Sequence, residues 1–252
     1  MLVMGILNVT PDSFADGGKH FTVDAAIARA KEMVAEGVDI IDVGGESTRP
    51  GAERISLEEE LNRVLPVIKG IAGFGVKISI DTTRAEVARK AIEAGAAIVN
   101  DVSGGKADPE MFSTVAALEC KYILMHWRTH SKDMNSLAVY GDVVAEVLAE
   151  LTEQIEKALL AGVKKENLVI DPGLGFSKDI KHNWEILERV DELIATGYPV
   201  LIGGSRKRFL GGDDPAKREA ATVDLTRSLI GKGIWGVRVH SVKPHKDVIG
   251  AM

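Results

Sequence analysis

Short apolar runs that end on a polar residue recur along the chain, and each gives way to a polar loop and a stretch with helical spacing. The first run, 3–7, stops on Asn8 and a loop broken by Pro11. Later runs lie at 40–43, 77–80, 97–99, 122–125, 168–170, 199–202 and 236–239. Continuous apolar runs of this length predict strands buried on both faces, as in a parallel sheet. Between them, Leu57, Leu61, Val64, Leu65 and Ile68 fall on one helical stripe. Ser56-x-x-Glu59 predicts a capping box at its start, and Thr83-x-x-Glu86 predicts a second. Gly37, Gly95, Gly162, Gly197 and Gly233 each stand between a helical stretch and the next run, where glycine supplies a left-handed cap.

Eight strands alternating with helices in 252 residues predict an α/β chain folded as a (β/α)8 TIM barrel, one domain over residues 1–252. A doubly wound open sheet is the alternative. The least patterned segments, 129–142 and 211–222, are expected to be surface connections after the fifth and seventh strands.

Composition narrows the function. The chain is 45% hydrophobic and 27% charged, and no apolar stretch nears the roughly 18 residues that span a bilayer. The apolar start lacks a basic flank and a small-residue cleavage site, so it reads as a strand rather than a signal peptide. A net charge of -6 argues against a general nucleic-acid or membrane surface. The single Cys120 lies within an apolar run, which predicts a buried thiol and a reducing compartment. A cytoplasmic role on small molecules is the expectation.

The candidate chemistry sits at the strand ends: Asn8, Asp42 with Gly44-Gly45-Glu46, Asp81, Asn100-Asp101, His126, Asp171, Ser205-Arg206-Lys207, Arg238 and His240. Parallel barrel strands all end at one face, so residues distant in sequence converge there without a local motif. No Ser-His-Asp or Cys-His spacing points to covalent catalysis, and the six histidines show no paired metal-ligand spacing, which argues against zinc. His126 is a metal candidate, although a structural or supporting role is favoured.

Seven segments make the chain recognisable: GILNVTPDSF at 5–14, DVGGESTRPG at 42–51, SIDT at 79–82, VNDVSG at 99–104, DPGLGF at 171–176, SRK at 205–207 and RVH at 238–240. In this order, over almost the whole chain, they resemble the signature segments of the dihydropteroate synthase family. The resemblance implies condensation of 6-hydroxymethyl-7,8-dihydropterin diphosphate with 4-aminobenzoate to give 7,8-dihydropteroate and pyrophosphate. It implies Mg²⁺ on Asn8 and a pterin diphosphate site of Thr48, Asp81, Asn100, Met125, Asp171, Lys207, Arg238 and His240. Phe14, Thr48, Pro50, Phe176 and Lys207 would surround the aminobenzoate, and Asp16, Arg49, Asp81 and Lys207 would serve catalysis. A homodimer is implied as well. Arg208 stands where many members carry serine.

The side chains suit that chemistry. A dihydropterin presents a row of N-H donors beside a carbonyl and a ring nitrogen. Asp171 can accept two donors side by side, Asn100 can give and take, and Lys207 can donate to the acceptor edge. Met125 and the Arg238 guanidinium can lie against the flat ring. Asn8, Arg238 and His240, from the first and last strands, are expected to form an anion site at the barrel seam. Loss of pyrophosphate would leave a cation on the pterin methylene, which Asp81 and Asp171 favour as it develops. A corrinoid methyltransferase of the wider pterin-binding group would share the carboxylates but needs neither the Asn8 metal site nor the loop over 11–18. A binding-only paralogue would keep every side chain.

Overall fold

All eight apolar runs are strands of one parallel sheet: β1 (Leu2–Asn8), β2 (Ile40–Gly44), β3 (Lys77–Asp81), β4 (Ile98–Asp101), β5 (Lys121–Met125), β6 (Leu168–Asp171), β7 (Leu201–Ile202) and β8 (Gly236–Val239). The computed structural model describes residues 1–10, 23–47, 54–129, 137–212 and 214–251. Strand order is β6-β5-β4-β3-β2-β1-β8-β7. The two ends meet through the Ile170–Val200 bridge and a 2.9 Å hydrogen bond from Ile170 N to Pro199 O. That closure makes the sheet a barrel and excludes the doubly wound alternative. Several strands run on into the polar residue at their end, because Asp81, Asp101 and Asp171 still pair in the ladder or close it.

Described helices pack outside: α1 (Val23–Ala35), α2 (Leu57–Ile71), α3 (Ala85–Glu93), α4 (Met111–Leu118), α5 (Val143–Leu160), α6 (Ile180–Glu188), α7 (Val190–Ile194), α8 (Glu219–Leu229) and α9 (Lys243–Gly250). The five junction glycines all take positive φ, as the pattern required. Ser56 caps α2 by accepting from Glu59 N at 3.1 Å, but Leu57 stays exposed at the helix start. Only the Ser56 half of this box forms, because the Glu59 carboxylate accepts from Arg63 instead, and the second predicted box does not form. Ala85 N, the first amide of α3, donates instead to Asp108 Oδ2 at 2.8 Å, and Thr83 Oγ1 accepts from Arg54. Asp108 lies far along the chain, so a local motif could not reveal it. α8 starts inside the expected connection 211–222, while 130–136 in the other connection lie outside the described residues.

Two cores divide the apolar side chains. Met4, Ile40, Ile98, Ile123, Val169 and Leu201 form a buried cluster inside the barrel. A larger cluster, with Ile41, Val43, Ile80, Leu124 and Ile170, fills the layer between strands and helices. Alternate residues of a strand face opposite sides, so membership of a cluster fixes which way each strand-end residue points. Cys120 is buried as expected, and burial pushes its thiol up to about 11.

Candidate active site

Two steps on from the inner cluster, the same parity brings Asp42, Asn100, Met125 and Asp171 to the inside of the barrel mouth. Asn8 continues the parity of Met4, and Asp81 that of Ser79, which lies between outward-facing Ile78 and Ile80. Register levels these ends, with Gly44 beside Asp81, Asp81 beside Asn100 and Met125 beside Asp171. Arg238 of β8 reaches across the mouth. Its Nε donates to Asp42 Oδ2 and its Nη2 to Asp81 Oδ2, both at 2.6 Å, while Asn100 Nδ2 donates to Asp42 Oδ2 at 3.1 Å.

This geometry revises the expected seam site. Met4, not Asn8, is the register partner of Arg238, so the guanidinium lies below Asn8 and turns to the carboxylates opposite. His240 engages Ser205, with Nδ1 and Oγ 2.9 Å apart.

Burial and charge set the electrostatics. Burial pushes the Asp81 carboxyl up to about 7 against the pull of Arg238, and it raises Asp171 against the pull of Lys207. Burial opposes the charge on Arg238 too, but Asp42 and Asp81 outweigh it and hold the guanidinium above its usual range. Lys207 is drawn down to about 8 by burial, with Asp171 opposing. Its ammonium donates to Leu174 O and lies 4.7 Å from the centre of the Phe176 ring. Asp171 Oδ1 accepts from Gly173 N at 2.7 Å, which ties the carboxylate to the loop that carries Phe176.

Two polar strand-end residues face away from the mouth. Asp101 shares the outward parity of Tyr122, accepting from the Tyr122 hydroxyl at 2.7 Å and from Ser103 N and Gly105 N at 2.8 Å each. It braces the loop after β4. His126 shares the outward parity of Leu124 and sits under α5, with Nε2 3.0 Å from Glu150 Oε2 and Nδ1 2.8 Å from Lys178 Nζ. Burial holds its imidazole down to about 4, so it is neutral at pH 7, and with both ring nitrogens already engaged by Glu150 and Lys178 it is structural rather than a metal ligand. Counting parity from Ile98 and Ile123 is the sequence signal that separates these two from the site.

Lys178 and Glu150 carry no signal in the sequence, and Arg206, a candidate there, gives no sign of its clamp, because the partners come from other elements. Arg206 adopts φ 56° immediately before Lys207, held by Glu219 and Ser241 at 2.7 and 2.8 Å. Arg208 is exposed at the start of a short 3-10 turn, Arg208–Leu210. Phe14, Asp16, Thr48, Arg49 and Pro50 lie outside the described residues.

The donors fit magnesium better than a softer metal. Among the described residues, no group of three His, Cys, Asp or Glu side chains could hold a metal ion. Asn8 offers one neutral oxygen at the end of β1, and Asp42 Oδ1 is buried without a hydrogen-bond partner. Hard oxygen donors in so small a number suit an ion whose shell is completed by water and substrate phosphates.

A family model described as "Pterin binding enzyme" matches residues 4–240. The chain is 51% identical to the dihydropteroate synthase of Mycobacterium leprae (strain TN), over 99% of this chain and 92% of that protein. It superposes on dihydropteroate synthase from Xanthomonas albilineans bound to 4-aminobenzoic acid with a TM-score of 0.92 and 42% identity, covering 99% of this chain and 91% of the other. A structure of the Xanthomonas albilineans enzyme with 7,8-dihydropteroate gives 0.89 and 40%, with the same coverage.

Proposed function

Because this chain belongs to the dihydropteroate synthase family of pterin-binding enzymes, we infer that it joins 6-hydroxymethyl-7,8-dihydropterin diphosphate to 4-aminobenzoate, forming 7,8-dihydropteroate and releasing pyrophosphate. The observation that carries the reading is the group of polar side chains at one barrel mouth, with Asp42 and Asp81 joined through Arg238, Asn100 bonded to Asp42, and Asp171 beside Lys207. Asp171 and Asn100 take the donor edge of the pterin, and Lys207 gives to its acceptor edge. Hydrogen bonds to charged groups contribute about 1.5–3 kcal/mol each, enough to select a pterin over an isostere that lacks those groups.

We assign Asn8 to Mg²⁺, which when bound neutralises the diphosphate leaving group. The chain's own residues do the rest. Asp81 and Asp171 supply negative potential where positive charge grows on the pterin methylene. Phe176 and Lys207 wall the arylamine, a neutral nucleophile that needs positioning more than a strong base. Met125 and Arg238 contact the ring, and His240 with Ser205 lies toward the phosphates. By family resemblance, Phe14, Thr48 and Pro50 complete the aminobenzoate wall. Asp16 and Arg49 act as the loops exclude water from the cation. Family membership also supports a cytoplasmic homodimer.

The test is pyrophosphate release by the purified protein with Mg²⁺ and the pterin diphosphate, with and without 4-aminobenzoate. Release that depends on both 4-aminobenzoate and Mg²⁺, with dihydropteroate formed in equal amount, is the expected result. Pterin diphosphate binding without product would favour the binding-only paralogue.

A further inference from the structure

The loop after β6 is held from beneath by a buried lysine. Lys178 Nζ is 2.8 Å from His126 Nδ1, 3.1 Å from Gly173 O and 3.0 Å from Phe176 O. On the other side of the imidazole, Nε2 faces Glu150 Oε2 at 3.0 Å, and Arg128 donates to the same carboxylate at 2.9 Å. These contacts define the protons. Burial pushes the Glu150 carboxyl up, but the hydrogen bonds from His126 and Arg128 outweigh it and bring it to about 2. An ionised carboxylate needs a donor, so the proton of the neutral imidazole sits on Nε2 and Nδ1 is an acceptor. Lys178 therefore meets three acceptors. Burial disfavours its charge, yet three acceptors require three N–H bonds, which only the ammonium has.

The loop that this ammonium grips touches the arylamine half of the site. Leu174 O accepts from Lys207, and the Phe176 ring lies over the same ammonium. Tyr140 OH donates to Ser177 O at 3.0 Å, and Ser177 takes φ 47°, a left-handed turn that a serine rarely adopts without support. Pterin-facing Asp81, Asn100 and Asp171, by contrast, stand on strands.

We propose that Lys178 is a positioning residue for 4-aminobenzoate: its ammonium, aimed by His126 and Glu150, fixes residues 173–177 so that Leu174 and Phe176 hold Lys207 and the arylamine wall in place. The proposal rests on the synthase reading above. Fixing a wall before the ligand arrives saves the ordering entropy that binding would otherwise spend.

The experiment compares Lys178→Met, His126→Asn and His126→Leu with the unmodified protein, reading KM for 4-aminobenzoate, pterin diphosphate affinity by titration, and amide hydrogen exchange over 173–178. Lys178→Met is expected to raise the aminobenzoate KM about tenfold, the order of one charged hydrogen bond, and to weaken pterin affinity by a clearly smaller factor, because Lys207 serves both substrates while Asp81, Asn100 and Asp171 stand on strands. Exchange at Phe176, whose amide donates to Gly173 O, should quicken. His126→Asn places an oxygen where Nδ1 stood and should keep KM near normal, whereas His126→Leu should behave as Lys178→Met. An unchanged KM in Lys178→Met overturns the proposal. Equal loss of both affinities, with His126→Asn no better than His126→Leu, overturns it too and leaves Lys178 a general stabiliser. If the unmodified protein forms no dihydropteroate, the synthase reading fails and the KM proposal falls with it. Faster exchange in Lys178→Met would then still establish the tether itself.

Discussion

Arg238 on β8 and Asp81 on β3 lie 157 residues apart in sequence and meet at 2.6 Å across the barrel mouth, with Asp42 as a second carboxylate on the same guanidinium. Strand order places β1 and β2 between these strands, so the pair spans the opening rather than following the ladder. One cation thereby lets two buried carboxylates coexist beside the place where a pterin cation would form.

Removing that cation should therefore destabilise the fold as well as the site. Arg238→Gln leaves Asp42 and Asp81 buried without their shared partner, and breaking such a pair typically costs about 3 kcal/mol. Urea denaturation should show the loss. Restoring stability with Asp42→Asn in the same chain would confirm that the unpaired carboxylate is the cause.

The raised Asp81 carboxyl has a sign in stability. Its folded value of about 7 exceeds the ordinary 3.8, so between those values the folded protein keeps a proton that the unfolded chain has released. Its contribution is then full below about pH 4 and is lost as pH rises to about 7. Denaturation midpoints across this window should fall less steeply in Asp81→Asn than in the unmodified protein.

Activity should show two limbs. kcat/KM should rise as Asp81 ionises near pH 7 and fall as Lys207, drawn down to about 8, loses its proton. Lys207→Arg keeps its charge to far higher pH. Whatever activity this variant retains should lose the alkaline limb, and a limb left unmoved would assign it to another group.

Asp171→Asn should weaken pterin binding by about 2 kcal/mol or more, because an amide presents an N–H where the carboxylate accepts. Calorimetry with a pterin lacking the diphosphate isolates this effect from the phosphates and any metal. Unchanged affinity would remove Asp171 from the pocket.

Gly173→Ala should be destabilising for two reasons that add. Gly173 has φ 66°, and a Cβ there would run into the carbonyl oxygen of His126, a backbone atom that cannot swing aside. A loss on the order of 2–4 kcal/mol in chemical denaturation is expected. The same change should loosen the hydrogen bond from Gly173 N to Asp171 and so reduce pterin affinity.

The barrel was legible in the chain itself, because buried parallel strands must be continuously apolar and helix ends must find a left-handed cap. Those demands wrote the runs at 40–43 and 168–170 and the glycines at 37 and 162 into the sequence. The positions of Asn100 and Asp171 at strand ends were equally visible. Periodicity of two even separates inward Asp171 from outward His126, once Val169 and Leu124 reveal which parity is interior. Only the tertiary structure decided the partners. That Arg238 would cross to Asp81 rather than pair with Asn8 depends on the stagger between β1 and β8, which no local pattern records. Lys178 carries no motif of its own. Its place under Phe176 follows from the acceptors that β5, α5 and the loop after β6 bring together, and hydrogen-bond partners of that kind exist only after the barrel closes.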